Sequence, residues 1–140
     1  MKILILCTGN SCRSQMAQGF LQLMDAELVV CSAGTEPSAK LNEKAVAVMK
    51  EMGIDISNQT PKSVNLYLDE AWDYVITVCC GANESCPAFS GKVKHRIHFG
   101  FDDPTYATGT DEFVWSEYRR VRDEIFASFE KFYHTIKFAN

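Results

Sequence analysis

The chain has 140 residues and a formal net charge of -4, from 14 Lys and Arg against 18 Asp and Glu. Hydrophobic residues make up 46% and charged residues 23%, which is enough apolar material for one core and excludes a disordered chain. The mildly acidic balance disfavours non-specific nucleic-acid binding, and no apolar run approaches the ~18 residues of a membrane span. The apolar stretch from Ile3 to Cys7 is too short for a signal-peptide core and runs straight into a polar loop. These features predict one domain over residues 1–140, cytoplasmic, with neither a membrane nor a nucleic-acid partner.

Lys2 to Leu6 reads KILIL, a short β-branched-rich run of the kind buried on both faces of a sheet. The polar loop CTGNSCRS follows, and from Arg13 the apolar residues Met16, Ala17, Phe20, Leu21, Leu23 and Met24 recur at helical spacing. Leu28 to Cys31 is a second strand, ended by the small residues Ser32, Ala33 and Gly34. Asn42 is an N-cap candidate, with Leu41 and Val46 able to staple the turn; Ala45, Val48, Met49 and Met52 share the face of the helix that follows, and Gly53 suits its C-terminal stop.

Asn58 to Lys62 reads as a loop and Ser63 to Glu70 as a short helix. Tyr74 to Val78 is a third buried strand, and Cys79 to Gly91 a loop of small and polar residues. Val93, His95, Ile97 and Phe99 alternate with polar neighbours, as in a strand nearer a sheet edge. After a loop over Gly100 to Thr110, an amphipathic helix from about Glu112 to Ile136 carries Trp115, Tyr118, Val121, Ile125, Phe129 and Phe132.

Strand and helix alternate, which predicts an α/β fold with a four-stranded parallel sheet flanked by helices. In such sheets ligands sit at the carboxyl ends of the strands, where the strand order reverses. Three loops at that edge carry chemistry: Cys7 to Arg13, Cys79 to Cys86, and Asp102 with Asp103.

Six cysteines (7, 12, 31, 79, 80 and 86) in a cytoplasmic chain call for metal, catalysis or redox exchange rather than structural disulfides. With three histidines and no CxxC pair, a zinc site is not expected, so the weight falls on thiol chemistry. Cys31 lies in a strand and is expected in the core.

Between the first strand and first helix, the residues Thr8, Gly9, Asn10, Ser11 and Cys12 form a compact turn in which Gly9 and Asn10 tolerate unusual dihedrals. Such a turn directs backbone N–H groups inward as an anion nest, and the helix N-terminus adds its partial positive charge. Arg13 offers a planar fork for two oxygens of a tetrahedral oxyanion. Cys7, in that field, is expected to form a thiolate below the usual ~8.5 and to attack the centre of the bound oxyanion. Cys12 is expected to pack without a catalytic part.

The stretch KILILCTGNSCRSQMA resembles the opening of the low-molecular-weight tyrosine phosphatases, and most of all their relatives the thioredoxin-coupled arsenate reductases. SAGTEP, MGIDISNQT, GFDDP and RVRDEI extend the likeness along nearly the whole chain. The resemblance implies a phosphatase-like (flavodoxin-like) α/β fold and oxyanion binding by Thr8, Gly9, Asn10, Ser11, Cys12, Arg13 and Ser14. Asn10 and Ser14 would hold the loop by hydrogen bonds. A departing oxygen needs a proton. The family pattern gives that task to the Asp before the Pro, which is Asp103, and leaves Asp102 structural.

The arsenate reductases also carry one Cys after the third strand and a second seven residues on, followed by Pro. Cys86-Pro87 fixes that register here and implies Cys79 as its partner, while Cys80 departs from the pattern, either inert or competing in exchange. The implied reaction reduces arsenate to arsenite through a Cys7 adduct and a Cys7–Cys79–Cys86 disulfide relay, with thioredoxin as external reductant, no bound cofactor and a monomeric enzyme. The alternatives are a phosphatase using Cys7, Arg13 and Asp103, and a non-catalytic thiol redox sensor.

Some members of the family bind potassium beside the anion loop. The matching positions here are Asn10, Gln18, Ser32, Thr60 and Lys62, where Gln18 and Lys62 stand in place of two carboxylates. A cation would lose its counter-charges and meet a like charge, so no specific potassium site is expected. Lys62 either places its ammonium where the ion would lie, bonded to Asn10, Ser32 or Gln18, or is simply solvated.

Overall fold

A computed structural model describes residues 1–79, 81, 82 and 86–138. Strands β1 (Lys2–Cys7), β2 (Val29–Gly34), β3 (Trp72–Thr77) and β4 (Val93–His98) form one sheet of order β2-β1-β3-β4 with every pairing parallel. Helices α1 (Arg13–Met24), α2 (Glu43–Glu51) and α3 (Asp111–Lys137) flank it, with short 3-10 turns at Val64–Tyr67 and Pro104–Tyr106. The order reverses between β1 and β3, so the carboxyl ends of these two central strands frame the crevice of a flavodoxin-like sheet.

β1 is central because its apolar run tolerates burial on both faces: Ile3, Leu4, Ile5 and Leu6 have no exposed surface. β4 lies at an edge, as its alternating pattern predicts, and most of its residues are exposed. α1 packs on β1 and β2 and along α3, where Phe20 meets Phe126 edge to face at 5.1 Å. Phe129, fully buried, contacts Phe99 beyond the end of β4.

Three local readings change. β2 runs on through Ser32, Ala33 and Gly34, which pair with Ile5, Leu6 and Cys7 instead of ending the strand. Small residues are needed there because the Cys7–Arg13 loop packs on them: a Cβ on Gly34 would collide with the Thr8 carbonyl oxygen. The expected helix over 63–70 contracts to one 3-10 turn, and Met52 ends α2 partly exposed rather than on its buried face. Asn42 caps α2 by accepting from the Lys44 and Ala45 amides, and Gly53 takes the left-handed conformation, φ 77°, that its place after the helix requires.

α2 and α3 are joined through Glu51, which accepts from Arg119 and from the largely buried Arg122. Arg122 also donates to the Val48 carbonyl at 2.9 Å. The Arg119 hydrogen bond, helped by that of Arg122, lowers the Glu51 carboxyl from 4.5 to about 2. A depressed carboxyl stabilises the folded state above its unfolded value, and that contribution is lost as pH falls towards the folded one. Glu51→Gln should therefore be less stable than the wild type at neutral pH. The gap, kept small by solvent exposure, should close between pH 4.5 and about 2 in urea titrations. A gap that persists unchanged at the acid end would contradict this assignment.

Candidate active site

The anion loop takes its shape from where its carbonyls go. The Cys7, Thr8 and Gly9 carbonyls accept from the amides of Thr35, Glu36 and Ser38, and that of Ser11 from Asn42. The Asn10 carbonyl accepts from the Gln15 side chain at 2.8 Å, and that of Cys12 from Met16 in the first turn of α1. Because the C=O and N–H of a peptide unit point in opposite directions, carbonyls drawn outward turn the amides inward. Asn10 supplies the left-handed residue, φ 51°, of a nest. The result is a cavity of about 290 Å³ lined by residues 7–13 with Glu36, Ser38, Asp103, Thr105 and Tyr106.

Asn10 is fully buried and holds the loop with its whole side chain. Its amide donates to Ser14 at 2.8 Å and Ser32 at 3.0 Å, and its Oδ1 accepts from the Lys62 backbone at 2.9 Å and from Gln15 at 3.1 Å. Ser32 passes its own proton to Gln18 at 2.6 Å. The Lys62 ammonium takes no part in this network, and its side chain is exposed. What holds the loop is the Lys62 main chain: its N–H bonds Asn10, and its carbonyl accepts from Gly34 at 2.8 Å. Gln18, Ser32, Thr60 and Lys62 line a second cavity of about 420 Å³.

Arg13, at the start of α1, reaches across to the Gly100–Thr110 loop. Its Nη1 donates to the Phe101 carbonyl at 2.9 Å and its Nη2 to Asp103 Oδ2 at 3.2 Å. The two neighbouring acids are thereby told apart. The Asp103 side chain is 22% exposed and lines the oxyanion cavity, where its Oδ1 also accepts from Thr105. The Asp102 side chain is 76% exposed and pairs with Arg120 on α3.

The parallel register of β1 and β3 brings two thiols together. Leu6 pairs with Thr77, and the Val78 amide continues the ladder to the Leu6 carbonyl at 2.9 Å, so the next residues, Cys7 and Cys79, emerge side by side. Both are buried, and their titrations are coupled. Cys79 Sγ also meets the Thr8 hydroxyl at 3.3 Å and accepts from the Ala82 amide at 3.4 Å. Gly81 is required there, since a Cβ would press on Thr8 Oγ1 at 2.7 Å. Cys79 is not on the wall of the oxyanion cavity.

The second thiol turns the expectation of a Cys7 thiolate from a statement about one residue into one about a pair. The neighbouring Cys7 thiol, the Thr8 hydroxyl, the Ala82 amide and the Arg13 charge favour a thiolate at Cys79 against burial. At Cys7 the same neighbour and burial oppose a thiolate, while Arg13 and the Thr8 amide favour it. The two thiols titrate together, and the first ionisation belongs to the pair.

The remaining cysteines are separate. Cys12 is buried, and burial pushes its thiol up to about 12, Asp103 adding to the rise. Cys31, expected in the core, is half-buried: β2 is an edge strand, and Cys31 lies on the wall of the cavity beside Lys62 and Tyr67. Cys86 is half-buried, and its thiol meets the Pro87 carbonyl at 3.5 Å. Cys80 lies outside the described residues. Among the described residues no cluster of His, Cys, Asp and Glu could hold a metal ion, and no helix is long and apolar enough to cross a membrane.

A strand-to-helix anion nest with Cys at its start and Arg at its end, faced by an Asp before Pro, has known counterparts. The model of the low molecular weight phosphotyrosine protein phosphatase family matches residues 2–139, and the chain belongs to that family. It is 48% identical over 136 residues to arsenate reductases of Halalkalibacterium halodurans and of Bacillus subtilis, covering 96% of each chain. Among solved structures, an arsenate reductase in a phosphate-binding state superposes with a TM-score of 0.79 at 32% identity, over 94% of this chain and 95% of the other.

The coupling of the two thiols has a direct readout. Thiolate absorbance near 240 nm in the reduced protein should show one group ionising below the usual thiol range. Cys7→Ser should move that ionisation upward by removing one member of the pair. An unchanged titration in Cys7→Ser would show that the two sulfurs are not coupled.

Proposed function

We propose that this chain is an arsenate reductase working by thiol relay. The observation that carries the reading is the placement of two buried thiols, Cys7 and Cys79, at the adjoining carboxyl ends of the paired strands β1 and β3. A phosphatase needs one nucleophilic thiol, whereas a reductase must also deliver two electrons, and a second thiol already against the first can supply them. The 48% identity to two arsenate reductases over nearly full length supports the same substrate.

Arsenate occupies the nest formed by Thr8, Gly9, Asn10, Ser11, Cys12, Arg13 and Ser14, its oxygens bonded to loop amides and the guanidinium. With the thiolate of the pair on Cys7, Cys7 attacks arsenic, and Asp103 protonates the oxygen that leaves as water. Cys79 then gives up its proton and attacks the Cys7 sulfur. The sulfur–arsenic bond breaks, its electron pair stays with arsenic, and arsenite departs as a Cys7–Cys79 disulfide forms. Two electrons have passed from two thiols to arsenic. Cys86 attacks Cys79, freeing Cys7 and leaving a Cys79–Cys86 disulfide, which an external dithiol protein of the thioredoxin type reduces. Which sulfur of the pair is ionised at each step thus decides which is nucleophilic. Every group in this cycle comes from one copy of the chain, which is expected to act as a monomer in the cytoplasm.

Three variants test the order. Cys7→Ser should abolish arsenate-dependent consumption of thioredoxin reducing power, because a serine hydroxyl is a far weaker nucleophile. Cys86→Ser should complete one round and stop with a Cys7–Cys79 disulfide detectable by peptide mapping, and Cys80→Ser should turn over normally. Mapping of a Cys7–Cys80 bond instead would overturn the assignment of the second sulfur. Persistent hydrolysis of phosphomonoesters without arsenate reduction would favour the phosphatase.

Potassium should not activate. The positions beside the loop offer Gln18 and an exposed Lys62, and Asn10 Oδ1 is already occupied by two N–H donors. Turnover in potassium and sodium salts at equal ionic strength should agree. A rise of about tenfold in kcat/KM with potassium, ~1.4 kcal/mol of transition-state stabilisation, would refute this.

A further inference from the structure

Cys86 does not share the surroundings of Cys79. It lies in a cavity of about 290 Å³ on the β3–β4 pair, lined by Val75, Thr77, Cys86, Arg96, Ile97 and His98. The thiol is engaged locally with the Pro87 carbonyl, an acceptor that favours its protonated form. A thiol must lose its proton before it can attack a disulfide, so the last step of a relay needs something to favour the Cys86 thiolate.

Arg96 is the cation on that wall. It projects from β4, and its guanidinium carbon stands 5.4 Å from the centre of the Phe89 ring, three residues after Cys86. The planar guanidinium over the aromatic face ties the chain following Cys86 to the sheet. The same group lies on the cavity occupied by the Cys86 side chain. His98, the other titratable group on the wall, is engaged by its Nδ1 with the Thr77 hydroxyl at 2.7 Å.

We propose that Arg96 is a positioning residue for the final thiol exchange, holding the 86–89 segment by its contact with Phe89 and supplying the positive charge against which the Cys86 thiolate forms. Burial raises the Cys86 thiol and Arg96 is the group that lowers it, in keeping with this role. The step is a thiol–disulfide exchange. Cys86 releases its proton to water, and its sulfur bonds the sulfur of Cys79. The Cys7–Cys79 bond breaks, and Cys7 leaves as a thiolate in the field of the anion loop. One disulfide replaces another with no net oxidation. This role rests on the relay proposed above, but the charge effect on Cys86 can be measured without arsenate.

The experiment compares wild type, Arg96→Met and Arg96→Lys. In the fully reduced proteins, the rate of Cys86 alkylation by iodoacetamide is followed against pH by peptide mass spectrometry. Arg96→Met should shift the Cys86 profile to higher pH and slow labelling at pH 7 by about fivefold, the size expected when a partly exposed cation is lost. Arg96→Lys should restore most of the profile, since it keeps the charge. His98 is present in all three proteins and cancels in the comparison. After one arsenate turnover, Arg96→Met should form the Cys7–Cys79 disulfide at the wild-type rate and convert it to Cys79–Cys86 several-fold more slowly.

Identical alkylation profiles in wild type and Arg96→Met would overturn the proposal, as would equal slowing in Met and Lys variants at every pH, the mark of a purely structural contact. If the alkylation shift appears but the wild type forms no Cys79–Cys86 disulfide after turnover, the relay is wrong. Arg96 then tunes a thiol that the reaction does not use.

Discussion

The parallel pairing of β1 with β3 is the constraint on which the rest of the molecule depends. It carries Cys7 and Cys79, far apart in sequence, to the crevice as neighbours whose ionisations are coupled. The pairing is secured by β1's buried apolar run and by the helices packed along it, not by anything at the thiols themselves. Any loss of register would separate the sulfurs, because shifting a strand by one residue turns every side chain to the other face. The chemistry is thus tied to the integrity of the hydrophobic core.

Around that pair, two loops are held from different directions. The anion loop is fixed by its outward carbonyls and by a saturated Asn10, so its amides are aimed before any oxyanion arrives. The Asp103 loop is held by Arg13, which spans both loops and joins the cation of the nest to the carboxylate opposite. An oxyanion competing for the guanidinium would loosen Asp103 as it binds, so that anion capture and release of the acid are coupled through one side chain.

Much of this was legible in the sequence. The run KILIL and the alternation of β4 predicted a central and an edge strand, and the helix periods and the Asn42 cap located α1, α2 and α3. The strand–loop–helix pattern singled out Cys7 and Arg13, and the family pattern Asp103, Cys79 and Cys86. What could not be read was anything that depends on which chain segments become neighbours. Ser32-Ala33-Gly34 read as the end of a strand because small residues usually break one, but the anion loop needs them small. Cys31 read as core because strand residues usually are, but β2 proved to be an edge. The ionisation of Cys7 followed its loop until a second thiol was beside it. Lys62 invited a reading of its charge, yet only its backbone touches the loop.

The segment that clamps the anion loop works entirely through main-chain donors. Thr35, Glu36 and Ser38 each give an amide proton to a loop carbonyl. The shape of the nest is therefore set by the backbone of this segment, and imino acids are barred from all three places. Pro37 falls at the single position between them whose amide the clamp does not use, and its ring narrows the conformations open to the segment at no cost in donors. Proline is thus confined to the one site in this segment where a missing proton is harmless.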